Sequence, residues 1–215
     1  MDFWDEEDNH IDVIMGDIIV VLWEGIENII EKGGLVIASI RVADKIFDKF
    51  PAIIQFEFEA GRFIDELFRF YEAIQPDLIT KEFIEILHKI IDNTTSSHKL
   101  ILKQERYIMP VIHLMDNEDE NVLLNITYFL GFIIIEMNQT GQIQPEDELR
   151  KVLENNGGLA KLVKIFQNDN FEEKQINQFV AIIIGSLHRA VKIPDDIRSS
   201  IIGLIFFTTP LIWFQ

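Results

Sequence analysis

Apolar residues recur along this chain at helical spacing. Ile176, Phe179, Val180, Ile183, Ile184 and Leu187 fall at i, i+3, i+4, i+7, i+8 and i+11, which puts them on one side of a helix. Val122, Ile126, Phe129, Leu130 and Ile133 repeat much of that spacing, and Phe63, Leu67, Phe70 and Ile74 give a third stripe. Isoleucine-rich runs such as DIIVVLW, FIIIEM and AIIIGSL would also suit buried strands, but the stripes decide for helix. Helix starts agree with them. Pro76-Asp77, Pro145-Glu146-Asp147 and Pro194-Asp195-Asp196 each put proline at the opening and acid in the first turn, where the helix dipole favours it. Thr80, Asp116 or Asn117, and Asn170 are further candidate caps. The pattern predicts about ten helices, near 11–31, 35–50, 60–74, 77–92, 98–115, 120–138, 146–155, 158–167, 172–191 and 195–208.

Two stretches read as copies of one unit. Tyr107 to Asn138 and Leu149 to Arg189 each carry a short helix, MPVIHLMDN or AKLVKIFQN, then a polar turn and a longer helix. Leu130-Gly131-Phe132-Ile133 and Ile184-Gly185-Ser186-Leu187 sit at equivalent places. With a gap of about three residues, Val122, Ile126 and Phe129 fall on Ile176, Val180 and Ile183. IIEKGGLV near the N-terminus echoes VLENNGGLA, and the two glycine pairs stand about three periods of ~41 residues apart. Both pairs are expected to end one helix and turn into the next. Gly131 and Gly185 are expected to allow close helix packing.

The segment ELRKVLENNGGLAKLVKIFQNDN followed by FVAIIIGSLHR resembles an armadillo repeat, within the armadillo/HEAT class of helical repeats. The match covers Leu149–Arg189 well, Tyr107–Asn138 fairly and residues 1–106 weakly. The resemblance implies an all-α armadillo-like α-solenoid, a right-handed superhelix of stacked helices, with the longer helices lining a concave face. Peptide-binding members carry an asparagine in the Leu-Gly-Asn-Leu segment. Phe132 and Ser186 stand at that place here, so the importin-type mode of recognition does not carry over.

Charge then narrows the partner. The net charge is −17, and a nucleic-acid binder needs a basic face instead. Lys and Arg are missing from residues 1–31 and from Tyr107 to Leu149, and the second stretch is rich in Asp and Glu. Such a surface suits a basic protein or peptide and repels membranes. The chain has no cysteine, which fits a reducing compartment. The start MDFWDEEDNH is not a secretory signal. A cytoplasmic setting is expected, with the nucleus as the alternative. The sequence divides into an acidic arm at 1–10, a helical repeat domain at 11–208 and an apolar tail at 209–215. From Ser199 to Gln215 no charge occurs. That stretch is short for a membrane helix and is a candidate for packing at the last helix or for self-association.

Residues that could carry chemistry are few. Gly157-Gly158 lacks the Lys-Ser/Thr of a phosphate loop. No serine sits in a Gly-x-Ser-x-Gly elbow. Glu7–His10 and Glu85–His88 have the Glu-x-x-His spacing of helical-bundle metal sites. The second pair lies on the polar side of its helix, opposite Phe83, Ile84, Leu87, Ile90 and Ile91, and is expected to face solvent. The acidic cluster at 2–12 lacks the spacing of a calcium loop.

The sequence reading is therefore a non-enzymatic interaction scaffold without cofactor or metal. Its acidic, helix-lined groove would bind a basic segment through Glu118, Asp119, Glu120, Asn125, Glu136, Asn177 and Gln178. The alternatives are a helical-bundle metalloprotein or enzyme using Glu85 and His88, or an inactive piece of a longer repeat protein.

Overall fold

The computed structural model describes residues 13–22, 24, 29–60, 62–135, 145–168, 170–172, 174–188, 192–193, 195 and 197–203. The acidic arm, the apolar tail and Glu136 lie outside the described residues. All regular structure among the described residues is helical. The helices are α1 (13–22), α2 (Ile29–Lys49), α3 (Ala52–Ala60), α4 (Phe63–Ala73), α5 (Lys81–Ile84), α6 (Ile86–Asp92), α7 (Ser96–Leu102), α8 (Glu105–Leu114), α9 (Glu120–Ile135), α10 (Pro145–Asn155), α11 (Gly158–Phe166), α12 (Lys174–Leu187) and α13 (197–203), with a 3-10 turn at Pro76–Leu78. None is long and apolar enough to cross a membrane.

The helices pack in two rows. In one, α2 lies on α5 and α6, these lie on α9, and α9 lies on α12. In the other, α3 meets α4, α4 meets α8, α8 meets α10, and α10 meets α11. The pairs α2 with α3, α8 with α9, and α11 with α12 join the rows. One apolar core runs between them from Met15 to Ile201. Val122, Ile126 and Phe129 on α9, and Ile176, Val180 and Ile183 on α12, are all fully buried. Asn117 Oδ1 accepts the Asp119 N–H at 2.7 Å, and Asn168 Oδ1 accepts the Asn170 N–H at 3.1 Å, the side chain closing each turn on its own backbone.

Side chains also tie each segment to the one before. His113 Nε2 bonds the Ile74 carbonyl at 2.7 Å, and Asn117 Nδ2 donates to the carbonyls of Pro76 and of Ile79, the latter at 2.9 Å. Arg106 and Tyr107 both donate to Asp65. Further along, Lys161 Nζ donates to the Ile112 carbonyl at 2.9 Å and to Asp116 at 2.8 Å. These ties span 38 to 42 residues in the first set and 45 to 49 in the second.

Several expectations are corrected. The helix expected to break at Gly33-Gly34 instead runs through that pair as α2. The expected helices at 60–74, 77–92 and 98–115 give way to shorter ones, so the chain has more helices than expected. Residues 52–60 form a helix of their own, α3, and α4 starts at Phe63, whose N–H donates to the buried Glu57 carboxylate at 2.9 Å. That acceptor satisfies a donor left open by the helix start. The chain breaks again at Glu85, between α5 and α6. There the Tyr71 hydroxyl donates to the Phe83 carbonyl, and complete burial pushes its phenol far above the usual range. The cap of α9 is Asp119, which accepts the Asn121 N–H at 2.8 Å, rather than Asp116 or Asn117. Gly157 has a φ of 74° and ends α10 as expected.

Candidate functional site

Helices α6, α9 and α12 each turn one stripe to their shared core and leave a neighbouring stripe half-covered. On α6, Ile86, Leu87, Ile90 and Ile91 are buried, and His88 lies beside them, half-buried. On α9 the half-buried stripe is Leu124, Tyr128 and Phe132, spaced i, i+4, i+8. Phe179 takes the corresponding place on α12.

These rings meet across the three helices. The His88 and Tyr128 ring centres are 4.4 Å apart, Tyr128 and Phe179 meet edge-to-face at 5.7 Å, and Tyr128 and Phe132 are offset-stacked at 6.3 Å. Lys99, from α7, holds its ammonium 4.2 Å from the centre of the Phe132 ring, a cation–π contact. Burial lowers the Lys99 ammonium from its ordinary value, against the pull of Asp92. Burial also lowers the His88 imidazole, opposed by the carboxylates of Asp92 and Glu85. It raises the Tyr128 phenol, with Asp92 adding to the effect. Three buried polar atoms lie along these same helices without a hydrogen-bond partner: His88 Nε2, Asn125 Oδ1 and Asn177 Oδ1.

The sequence-predicted contact residues divide in three ways. Glu118 and Asp119 are exposed at the start of α9, though Asp119 is also its cap. Glu120 accepts the Glu172 N–H with both carboxylate oxygens, each at 3.1 Å, and so helps fix the approach to α12. Asn125, expected at the surface, is buried at 5 % exposure and donates to the Asn121 carbonyl at 2.6 Å. Asn177 and Gln178 are half-buried on the first turns of α12. Glu85 is exposed and paired with Lys81 at 3.3 Å. His88, expected to face solvent, is half-buried against Tyr128. Among the described residues no group of three or more His, Asp or Glu is placed to hold a metal ion.

Sequence reasoning treated Phe132 only as a missing asparagine and Phe179 only as core, and passed over Tyr128 and Lys99. The i, i+4 pair Tyr128–Phe132, one step round from the core stripe, was the available signal. The arrangement can hold an apolar or cationic group against aromatic faces. The chain matches no protein-family model, no curated protein and no solved structure.

Proposed function

We propose that this protein is a non-enzymatic scaffold built as an armadillo-like solenoid, and that it binds a basic protein segment along α6, α9 and α12. Support for the solenoid comes from the two rows of helices, from packing mainly between neighbours, and from ties that recur at similar separations. A unit of this kind cannot bury its apolar faces alone and stacks on its neighbours.

The observation that carries the binding reading is the half-buried ring strip His88, Tyr128, Phe132 and Phe179, crossing three helices of one row. Rings left half-covered supply large contact area and attract cations through their faces. The excess of carboxylate, with a net charge of −17, steers a basic partner towards the protein. Glu118 and Asp119 are the exposed acids for this role. Glu120 acts through position, since its carboxylate is already engaged. Among the described residues no further His, Asp or Glu is grouped with Glu85 and His88 to hold a metal ion.

The test uses a panel of Lys/Arg-rich peptides and matched acidic peptides, with binding read by fluorescence anisotropy. Basic peptides bind, and their affinity falls as salt rises, because exposed charges are screened. Phe179→Ala lowers affinity about tenfold, in the range of an aromatic contact in an interface. Glu118→Lys slows association and flattens the salt dependence. Equal binding of basic and acidic peptides, or binding that Phe179→Ala leaves intact, sinks the reading.

A further inference from the structure

His88 is the member of the ring strip whose charge can change near neutral pH. Its ring centre lies 4.4 Å from that of Tyr128, and its Nε2 is buried with no hydrogen-bond partner. A neutral imidazole can leave that nitrogen as a bare lone pair. An imidazolium must carry an N–H on both nitrogens, and it sets a positive charge against the rings that a partner's cation would use.

The charged groups around His88 are mostly engaged. Glu85 of its own helix is paired with Lys81 of α5, and Glu82 of α5 accepts from Thr80. Lys89 is paired with Asp48 of α2, and Asp44 of α2 lies within reach of the same lysine. On α9 the facing titratable group is Tyr128, and the Lys99 ammonium of α7 sits on the Phe132 ring. Asp92 stands apart. It is exposed, one turn beyond His88 at i+4 on α6, and makes no ion pair or side-chain hydrogen bond among the described residues. Its negative charge acts on His88, Tyr128 and Lys99 alike. Asp92 is thus the unengaged carboxylate beside the strip.

We propose that the ring strip is a pH-gated cation site, in which Asp92 pairs with the partner's cation while His88 is neutral, and with His88 itself once the imidazole is protonated. This rests on the reading of α6, α9 and α12 as the binding row. It adds the carboxylate that meets the partner and the condition under which the partner is released. One carboxylate does not neutralise two cations, and two like charges over the same rings repel. Burial already holds the imidazole below its ordinary value, so it is neutral at pH 7.5. A bound cation lowers it further. Protonation and binding therefore oppose each other, and affinity falls as pH drops through the imidazole's titration.

The test uses a Lys/Arg peptide without histidine or carboxylate side chains, amidated at its C-terminus, with binding read by fluorescence anisotropy at pH 7.5 and pH 5. Wild-type affinity falls about fivefold or more between the two, and the fall for His88→Phe stays under about twofold, whatever that variant's affinity at pH 7.5. Asp92→Asn binds more weakly at pH 7.5, and its loss of affinity moves to lower pH, because the imidazolium has lost its counter-charge. In the wild type, NMR titration shows the His88 pKa lowered by saturating peptide, a shift that a purely structural histidine would not give. Equal pH ratios for wild type and His88→Phe overturn the proposal. So does a His88 pKa that the peptide leaves in place, or an Asp92→Asn variant that binds as tightly as wild type. A loss of binding that only follows a loss of helicity, read by circular dichroism at each pH, overturns it as well. Absence of binding at pH 7.5 removes the site and both readings with it, whereas binding that ignores pH removes the gate alone.

Discussion

At the scale of single residues, the molecule spends its polar groups on holding turns in place. Asn117 is buried, donates to two carbonyls of the preceding segment and closes its own turn. Asn168, which aligns with it in the sequence comparison, makes the turn bond to the Asn170 N–H. The two side chains are therefore unequal in what they hold. Asn117→Ala removes three hydrogen bonds to backbone groups and costs about 2–3 kcal/mol in urea unfolding, whereas Asn168→Ala costs under ~1 kcal/mol. Equal costs would refute the cross-segment role of Asn117. His88 gives a second prediction at this scale. Its folded imidazole is lowered from the ordinary value, chiefly by burial. Above about pH 6.5 the imidazole is neutral in both states and adds no pH dependence. As pH falls below that value the unfolded chain takes the proton first, so stability declines until the folded imidazole titrates as well. Urea midpoints measured from pH 7.5 to 5 therefore fall more steeply for the wild type than for His88→Phe. Parallel slopes would show that burial does not hold His88 neutral.

At the scale of elements, the second half of the chain was more legible than the first, and the glycine pairs show why. Gly157-Gly158 follows Asn155-Asn156. Asn156 returns a side-chain bond to the Val152 carbonyl at 2.9 Å, and Gly157 takes the left-handed conformation, so every local signal says stop. Gly33-Gly34 follows Glu31-Lys32, both good helix formers, and α2 continues through it. The break at Glu85 was illegible for another reason. The group that satisfies the Phe83 carbonyl is Tyr71, twelve residues back on a different helix, and no local pattern encodes it. The candidate site failed at the same level. Its rings belong to three helices, and only their packing shows that they meet. The glycines carry the corresponding prediction. A Cβ at Gly34 would meet nothing within 4 Å, so Gly34→Ala stabilises by up to about 1 kcal/mol through helix propensity. A Cβ at Gly158 would stand 2.8 Å from Leu153 Cδ2 and 2.9 Å from Ile112 Cγ1, so Gly158→Ala destabilises by about 1–3 kcal/mol through overpacking. Thermal melts of the two variants should move in opposite directions.

At the scale of the whole molecule, the question is how far a local loss travels. A compact bundle with one shared core unfolds as a unit. A stack whose segments pack mainly on their neighbours behaves as a nearly one-dimensional array, in which damage at one end leaves the other end folded. Here α12 packs mainly on α9, α10 and α11, and α2 on α3, α5 and α6, so the two ends share little directly. Ile183 on α12 is fully buried. Ile183→Ala should cost about 2–5 kcal/mol, the range for a large-to-small core change. Hydrogen exchange followed by mass spectrometry locates where that cost falls. In a stack, protection drops in α10, α11 and α12 and stays close to wild type in α2 to α6, with α9 intermediate because it touches both sides. A uniform drop across all helices would identify a single cooperative core, and the solenoid reading would then fail. The peptide-binding prediction would survive, because the ring strip on α6, α9 and α12 is a local arrangement that either architecture can carry.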